Sequence, residues 1–415
     1  MKESKTLEFK REVTNTFLKT VSAFANYDGG DILFGVDDEG KIVGVPDPEE
    51  ACLNIENAIN DSFDPRPRYT LSINETTAVI TLRVEEGSHK PYFYKSKAYV
   101  RHDTATVEVD RFALKRLILE GENLSFEELP SERQELTFEN LKRALMQKTG
   151  IETFSSDTLK TLELLSENQF NIAAELLADS NGFPGLDVAR FGDSINIILD
   201  RETFEHASLL VQYENAIQMF LKYYTYEEIS GAYREKKELI PEMAFREAVA
   251  NALVHRTWDI KAHSRIAMFP DRIEITSVGG LPKGISKEEY LRGGLSVPRN
   301  RILANVFLRL KMIERFGTGI KRINDLYSGS ARKPTFNIMS EAIQVTLPVL
   351  SKDIKLSSAH QKVYDALSDK ELSSGDVVER TGFGKNKAVS ALNDLVSHGY
   401  IQKRGTGRGI RYFVK

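Results

Sequence analysis

Carboxylate side chains near the start of the chain are the first candidates for chemistry. Glu3 and Glu8 lie five positions apart, close enough for a short turn or bulged segment to bring them together, and Asp37 or Asp38 at a predicted hairpin tip could complete a cluster. Such oxygen ligands suit Mg²⁺ or Mn²⁺, which lower the pKa of an attacking water beside a phosphodiester. Lys10 would then neutralise the phosphate. These residues are therefore a candidate metal-dependent nuclease site.

The same residues also admit a structural interpretation. Glu3 is then a frayed terminal residue, because chain ends are poorly ordered unless they are tied down. Glu8 pairs with Lys10 or another neighbour, and the two aspartates build a turn.

A second candidate site lies in the middle of the chain. A helix is predicted from Pro241, and on it Glu247, Asn251 and His255 recur every four residues, which places them on one face. A carboxylate there can orient water while an amide holds Mg²⁺ beside a nucleotide. Glycine-rich turns that present backbone N–H groups to phosphate follow at Gly279, Gly280, Gly317 and Gly319.

A third candidate site is the basic C-terminal segment. Residues 355–415 carry eleven Lys and Arg against six Asp and Glu, so this segment is +5 while the whole chain is −4. A predicted third helix and two strands around a glycine-rich tip leave polar side chains available to DNA. The candidate DNA-binding residues are Lys385, Asn386, Lys387, Ser390, Arg404, Arg408 and Arg411. The alternative is a segment used for dimerisation or domain docking.

Hydrophobic periodicity predicts the elements that position the first site. Phe17, Val21 and Phe24 belong to one helical stripe that ends at Gly29, and a strand over residues 31–36 is followed by a hairpin return over 41–45. A second helix is predicted around residues 52–63, and alternating apolar residues over 78–84 predict a strand. Further strands are predicted around residues 92–94 and 98–101.

Length and composition limit the class of protein. The 415 residues are too many for one core, and 41% hydrophobic residues indicate packed domains. Cys52 is the single cysteine, which excludes an intramolecular disulfide and a cysteine-based metal site within one chain. We expect a cytoplasmic protein without a membrane span, because the first residues are charged and no apolar run is long enough.

The N-terminal third resembles the Schlafen AlbA-like domain. The resemblance is carried by Glu3-Ser4, residues 7–10, 22–26, 29–30 and 35–38, and it extends to residues 90–92 and 99–101. It implies a nucleic-acid-binding domain. It also implies that Glu3, Glu8 and Asp38 form the carboxylate triad that binds Mg²⁺ or Mn²⁺ in Schlafen nucleases.

The middle region, about residues 136–349, resembles the part of bacterial RecG-like regulators that is related to GHKL ATPases. The segment from Arg246 to Arg256 corresponds to the N box, so the resemblance implies Glu247 as general base and Asn251 as Mg²⁺ ligand for ATP. Gly279, Gly280, Gly317 and Gly319 would be the glycine-box positions. Ser277 stands where the adenine-reading aspartate is expected, and a neutral hydrogen bond is weaker than a charge-assisted one.

The C-terminal segment resembles the winged-helix domain of bacterial transcription factors, in which the third helix enters the major groove. We therefore predict an α/β and α+β multidomain chain: a Schlafen AlbA-like domain over residues 1–120, a GHKL-like region over 135–350 and a winged helix over 355–415. The function predicted first is a DNA-binding transcriptional regulator that senses a nucleotide.

Two enzymatic alternatives stay open: a metal-dependent nuclease acting on RNA or single-stranded DNA, and a GHKL-type ATPase switch. Helicase activity is not expected, because the sequence contains no Gly-x-x-x-x-Gly-Lys-[Ser/Thr] motif. The expected partners are DNA and RNA, with the chain forming a homo-oligomer.

Overall fold

The computed structural model describes residues 2–230, 233–282, 284–294, 297–314, 317–350, 357–368, 370–397 and 400–414. The chain separates into two compact units, residues 1–126 and 127–415. Both contain helices and sheets, which confirms the mixed α/β, multidomain class. The three-domain boundaries proposed from the sequence stay a prediction.

The N-terminal unit is built on a four-stranded sheet. Its elements are β1 (Leu7–Lys10), α1 (Phe17–Asn26), β2 (Gly30–Phe34), α2 (Pro48–Ser62), β3 (Tyr69–Asn74), β4 (Val79–Val84), β5 (Tyr99–His102), β6 (Ala105–Glu108) and α3 (Arg111–Gly121). The strand order is β1-β2-β4-β3, with β1 parallel to β2 and the other pairs antiparallel. Strands β5 and β6 form a separate antiparallel pair.

The predicted apolar stripe of α1 is confirmed. Phe17 and Val21 are completely buried, and they belong to one core with Ile32 and Phe34 of β2. The Phe17 and Phe34 rings meet edge to face with their centroids 5.2 Å apart. Burial of α1 against the sheet therefore fixes the N-terminal unit around β2.

One predicted feature of this unit forms only in part, and another is wrong. The hairpin return after β2 is reduced to a single bridge between Val36 and Ile42, because β2 pairs on its two edges with β1 and β4. The strand predicted around residues 92–94 does not form. Side chains of α1 take the backbone groups of Tyr92 instead: Ser22 Oγ donates to the Tyr92 carbonyl at 2.7 Å, and the Tyr92 N–H donates to Asn26 Oδ1 at 2.7 Å.

The second unit begins with short elements and a larger sheet. Its first part contains α4 (Glu139–Thr149), α5 (Ser156–Thr161), β7 (Leu165–Ser166), β8 (Gln169–Phe170), α6 (Ile172–Leu177), β9 (Leu186–Phe191), β10 (Ile198–Phe204), α7 (Leu209–Tyr224), β11 (Thr225–Ser230) and β12 (Tyr233–Glu238). It continues with α8 (Glu242–Val254), β13 (Ser264–Met268), β14 (Arg272–Val278), α9 (Lys287–Arg292), α10 (Arg301–Arg309), α11 (Gly319–Leu326), β15 (Thr335–Ile338) and β16 (Ala342–Pro348).

A six-stranded sheet with order β10-β9-β13-β14-β16-β15 supports this region. The pair β9 and β13 is parallel, and the remaining pairs are antiparallel. Strands β13 and β14 are consecutive in the chain, and Pro270-Asp271 lies in the turn between them. Helix α8 packs against β14 and β16 and also against α7, α10 and α11.

The C-terminal part of the second unit contains α12 (Ser358–Leu367), α13 (Ser374–Thr381), α14 (Lys385–Ser397), β17 (Gln402–Arg404) and β18 (Arg411–Phe413). The two strands pair antiparallel. Ala388, Leu392 and Leu395 of α14 are buried in a common core, as their helical spacing predicts. Among the described residues, no helix of either unit is long and apolar enough to cross a membrane.

Glu127 anchors the start of the second unit to α10. Its carboxylate is completely buried and accepts hydrogen bonds from the first turn of that helix, from Ile302 N at 2.6 Å and Leu303 N at 3.0 Å. These donors favour the ionised carboxylate, since helix N-terminal N–H groups attract negative charge. Burial opposes them and raises the Glu127 pKa to about 7.

The raised pKa of Glu127 predicts that its contribution to stability is lost as the pH rises. A carboxyl group whose pKa is higher in the folded state stabilises that state most below its unfolded pKa of 4.5, and this contribution falls as the pH rises to about 7. For a shift of this size the loss is about 3 kcal/mol. Glu127→Gln cannot ionise, so the unfolding free energy of wild type minus that of Glu127→Gln should decrease between pH 5 and pH 7.5, as measured by urea denaturation.

Glu128→Gln is the matched control, because that neighbouring carboxylate is partly exposed and pairs with Arg301. The unfolding free energy of Glu128→Gln should depend on pH as that of the wild type does. A constant difference between wild type and Glu127→Gln across the same pH range would contradict the prediction.

Candidate functional sites

Arg101 of β5 lies against the two N-terminal glutamates. Its Nη1 forms an ion pair with Glu8 Oε2, and its Nη2 is 3.8 Å from Glu3 Oε1. Lys10 Nζ is 2.5 Å from the second oxygen of Glu8. Glu8 and Arg101 are buried, whereas Glu3 is partly exposed and accepts a hydrogen bond from Phe9 N at 2.9 Å.

The structure does not assemble the carboxylate triad implied by the Schlafen resemblance. Asp38 is exposed in the turn after β2, and Asp37 caps that turn by accepting from the N–H groups of Glu39 and Lys41. Within the described residues no three His, Cys, Asp or Glu side chains are grouped so that they could hold a metal ion. Arg101 and Lys10, rather than a metal ion, supply the positive charge beside Glu8. The structural interpretation of Glu8 anticipated the pairing with Lys10 but did not name Arg101.

One cavity of about 130 Å³ collects the candidate nucleotide-binding residues of the middle region. Glu247, Asn251 and His255 contribute from α8 and its C-terminal end. Turns and the start of α11 contribute glycines, and β14 and β16 contribute an apolar wall. The residues relevant here are Glu247, Asn251, His255, Ile275, Ser277, Gly279, Gly280, Gly317, Gly319, Ile343 and Val345.

Glu247 is a buried carboxylate with two polar partners. Asn251 Nδ2 donates to Glu247 Oε1 at 3.2 Å, and Arg322 Nη1 of α11 is 3.4 Å from Glu247 Oε2. Burial raises the pKa of Glu247, while Arg322 and the Asn251 hydrogen bond act in the opposite direction. Since Asn251 donates through its nitrogen, its amide oxygen is the atom left to bind a cation.

Two of the glycines are required by close approaches of the chain. Gly279 has φ +104°, and a Cβ there would overlap the side chain of Thr257. A Cβ on Gly319 would overlap the Glu247 carboxylate and lie 3.0 Å from Asn251 Nδ2. The absence of a side chain at Gly319 therefore lets the N-terminal turn of α11 approach α8 directly.

Ser277 and His255 define the uncharged part of the cavity. Ser277 is buried, and its hydroxyl donates to the Ala252 carbonyl at 2.8 Å, so it can offer a ligand only an acceptor. Burial, and secondly the nearby Arg299, lower the pKa of His255 to about 4. His255 is therefore neutral at pH 7.

These residues fit a nucleotide with a divalent cation. The isoleucine and valine side chains of β14 and β16 offer an apolar surface for a base, and the glycine turns leave backbone groups close to the cavity. Glu247 and the Asn251 amide oxygen supply hard oxygen donors of the kind that Mg²⁺ prefers. A bound cation would neutralise phosphate charge there.

The C-terminal candidates are only partly free to meet DNA. Lys385, Asn386, Lys387 and Ser390 are exposed on α14. Arg404 forms an ion pair with Glu371 at 2.6 Å, and Arg411 forms one with Asp376 at 2.8 Å. The Arg408 side chain lies outside the described residues.

Sequence reasoning missed the arginines that complete two of these sites. Arg322 lies 75 positions from Glu247, and no local pattern connects them. Arg101 lies 93 positions from Glu8. The only sequence signal for Arg101 was its place in the last block of the Schlafen resemblance, which assigned it no role.

Comparison with known proteins identifies two domains. The family model described as Schlafen, AlbA_2 matches residues 3–110. The HATPase_c_4 model, described as putative ATP-dependent DNA helicase recG C-terminal, matches residues 262–347. Gly279, Gly280, Gly317 and Gly319 lie in the second match, whereas Glu247 and Asn251 precede it. A comparison with curated proteins gives no significant match.

Two solved structures are similar to the chain. The DIP2311 protein from Corynebacterium diphtheriae is 17% identical, with a TM-score of 0.50 over 99% of this chain and 92% of that one, so the likeness concerns the fold alone. The N-terminal domain of a RecG-related protein from Nitrosomonas europaea is 26% identical over 27% of this chain and 85% of that one, with a TM-score of 0.21. The chain thus contains a Schlafen AlbA_2 domain and a RecG-related, ATPase-like domain, both of kinds that suggest nucleic-acid binding.

Proposed function

We propose that the protein is a nucleic-acid-binding transcriptional regulator whose second unit binds a nucleotide. The observation that carries the nucleotide assignment is the single cavity into which Glu247, Asn251 and the four glycines converge. Residues separated by up to 72 positions meet there in the arrangement that the GHKL resemblance implies. The RecG-related match supports an ATPase-like domain around it.

The DNA-binding part of the proposal rests on the C-terminal residues. Three helices followed by an antiparallel strand pair have the order of a winged helix, and α14 would be the recognition helix. Its first turn exposes Lys385, Asn386 and Lys387, whose chemistry suits phosphates and base edges. Exposed ion pairs such as those of Arg404 and Arg411 are weak, so DNA phosphates can replace their carboxylates.

The proposal assigns Glu8 to an ion-pair network rather than to nuclease chemistry, because Arg101 and Lys10 occupy both of its oxygens. In the proposed function the protein binds a nucleotide, and neither nucleotide hydrolysis nor the separation of DNA strands is required. We expect the nucleotide to act by changing the conformation of the domain that binds it. The protein is expected to bind DNA as a homo-oligomer.

The first prediction from this proposed function concerns nucleotide binding. Asn251→Ala removes the amide oxygen assigned to the cation, and Gly319→Ala places a methyl group against Glu247. Each should weaken binding of ATP with Mg²⁺ by about ten-fold or more, measured by titration calorimetry. Because Ser277 is neutral and already donates to Ala252, ATP and GTP should bind with similar affinity.

Gly329→Ala is the matched control, because a Cβ at this exposed glycine meets no atom within 4 Å. It should bind ATP as the wild type does. Equal heats for wild type, Asn251→Ala and Gly319→Ala would show that the cavity does not take a nucleotide.

The second prediction concerns DNA. In the full-length protein, Lys385→Ala and Lys387→Ala should each lower affinity for duplex DNA and reduce the slope of log K against log salt by about one unit per lost phosphate contact. Lys160→Ala removes an exposed lysine from α5 as a control and should change neither quantity. Unchanged affinity and slope in both α14 variants would remove this helix from the DNA interface.

The third prediction concerns the N-terminal carboxylates. Glu8→Gln leaves the buried Arg101 without its closest anionic partner, which should cost the N-terminal unit about 3 kcal/mol of unfolding free energy. Glu75→Gln, at an exposed turn, should cost almost nothing. Thermal melting of the wild type should not shift upward with Mn²⁺ at constant ionic strength.

Labelled RNA provides the second readout for this site, and we expect no metal-dependent cleavage. An Mn²⁺-induced rise in melting temperature that Glu8→Gln abolishes, together with cleavage, would establish a metal site and contradict the ion-pair assignment.

A further inference from the structure

A second cavity, of about 290 Å³, adjoins the candidate nucleotide cavity. The two share Glu247, Ile313 and Glu314 in their walls. The second is lined by helices α4, α7 and α8 and by the chain that follows α10. Most of its wall therefore precedes the residues that match the RecG-related family model.

The charged wall of this second cavity is mainly positive. Its described lining includes five cationic and three acidic side chains: Arg143, Lys148, Arg246, Lys311 and Arg322, with Glu214, Glu247 and Glu314. Charges of one sign in a concave site add to one another and attract a ligand of opposite sign. The cavity therefore favours an anion.

Two of these cations are already neutralised by the protein. Arg246 pairs with Glu242 at 2.6 Å, and Arg322 pairs with Glu314 at 2.6 Å. The other three cations, Arg143, Lys148 and Lys311, are exposed and are not neutralised in this way. Arg143 donates to the amide oxygen of Asn140, and no described carboxylate forms an ion pair with Arg143, Lys148 or Lys311.

The junction between the cavities is the Glu247 carboxylate. One of its oxygens faces Asn251 and Gly319 in the first cavity, and the other faces Arg322 in the second. A ligand whose uncharged end lies on the apolar wall of the first cavity, and which passes Glu247, would meet the cations that have no ion-pair partner. A cation held at Glu247 and Asn251 would lie along the same path.

We propose that the second cavity holds the terminal phosphates of a nucleoside triphosphate whose base and sugar lie in the first, with Arg143, Lys148 and Lys311 as the phosphate-binding side chains. This inference rests on the proposed nucleotide binding and extends it. It makes the site selective for triphosphates over monophosphates through residues of α4 and of the turn after α10.

The test compares ATP and AMP in the full-length protein with Mg²⁺. Arg143→Gln, Lys148→Gln and Lys311→Gln should each weaken ATP binding about five-fold, the upper end of the effect of one exposed charge pair, and leave AMP affinity unchanged within about two-fold. Lys142→Gln removes a lysine from the same helix outside the cavity lining and should affect neither ligand. Melting temperatures confirm that each variant is folded.

Inorganic tripolyphosphate provides an independent probe without a nucleoside. It should compete with ATP and should leave AMP binding unaffected. Tripolyphosphate that binds together with ATP would show a separate anion site and overturn the inference.

The remaining outcomes separate this inference from the proposed function. A wild type that binds ATP while all three variants bind it equally well overturns the inference alone. Equal losses for ATP and AMP overturn it too, because the cations would then act on the whole site. A wild type that binds neither ATP nor AMP overturns both the inference and the proposed function.

Discussion

Donor side chains at the C-terminal end of α8 hold together the walls of the candidate nucleotide cavity. A helix leaves its last carbonyl oxygens without intrahelical partners. Here Asn300 donates to the carbonyls of Val254 and Arg256, and Arg299 donates to that of His255 at 3.3 Å and to that of Gly280 at 2.8 Å. The end of α8 is thereby tied both to the start of α10 and to a glycine turn of the cavity. The positions of Glu247 and Asn251 relative to Gly280 depend on these bonds.

The buried guanidinium of Arg256 extends the same network to the sheet. It donates to the carbonyls of Pro184, Gly185 and Ala262 and lies over the Trp258 ring, 4.2 Å from its centroid. Burial lowers its pKa to about 10, so it stays charged at pH 7, and none of the described carboxylates forms an ion pair with it. Carbonyl dipoles supply the compensation that a buried charge needs. The chain entering β9 and the chain entering β13 are therefore joined to the helix that carries the site.

The sequence predicted what local periodicity determines and missed what depends on distant pairing. The stripe of α1 and the buried face of α14 follow from apolar spacing, and the start of α8 follows from Pro241. The hairpin expected after β2 is reduced to one bridge between Val36 and Ile42, because β2 pairs instead with β4, a strand far away in the sequence. In the same way, Glu247, Asn251 and the glycines were found from spacing and resemblance. Arg322 and the cations of α4 could not be found, since only the folded chain brings them to the cavity.

Whether a buried carboxylate can bind a further cation depends on the side chains that already pair with it. Glu8 and Glu247 have the same side chain and are equally buried. Arg101 and Lys10 each pair with one oxygen of Glu8, which compensates its charge and links β1 to β5. Glu247 has one longer contact to Arg322 and one neutral amide partner, at the wall of a cavity of about 130 Å³. Because its negative charge is less fully compensated, Glu247 is the carboxylate at which a cation brought by a nucleotide would gain most.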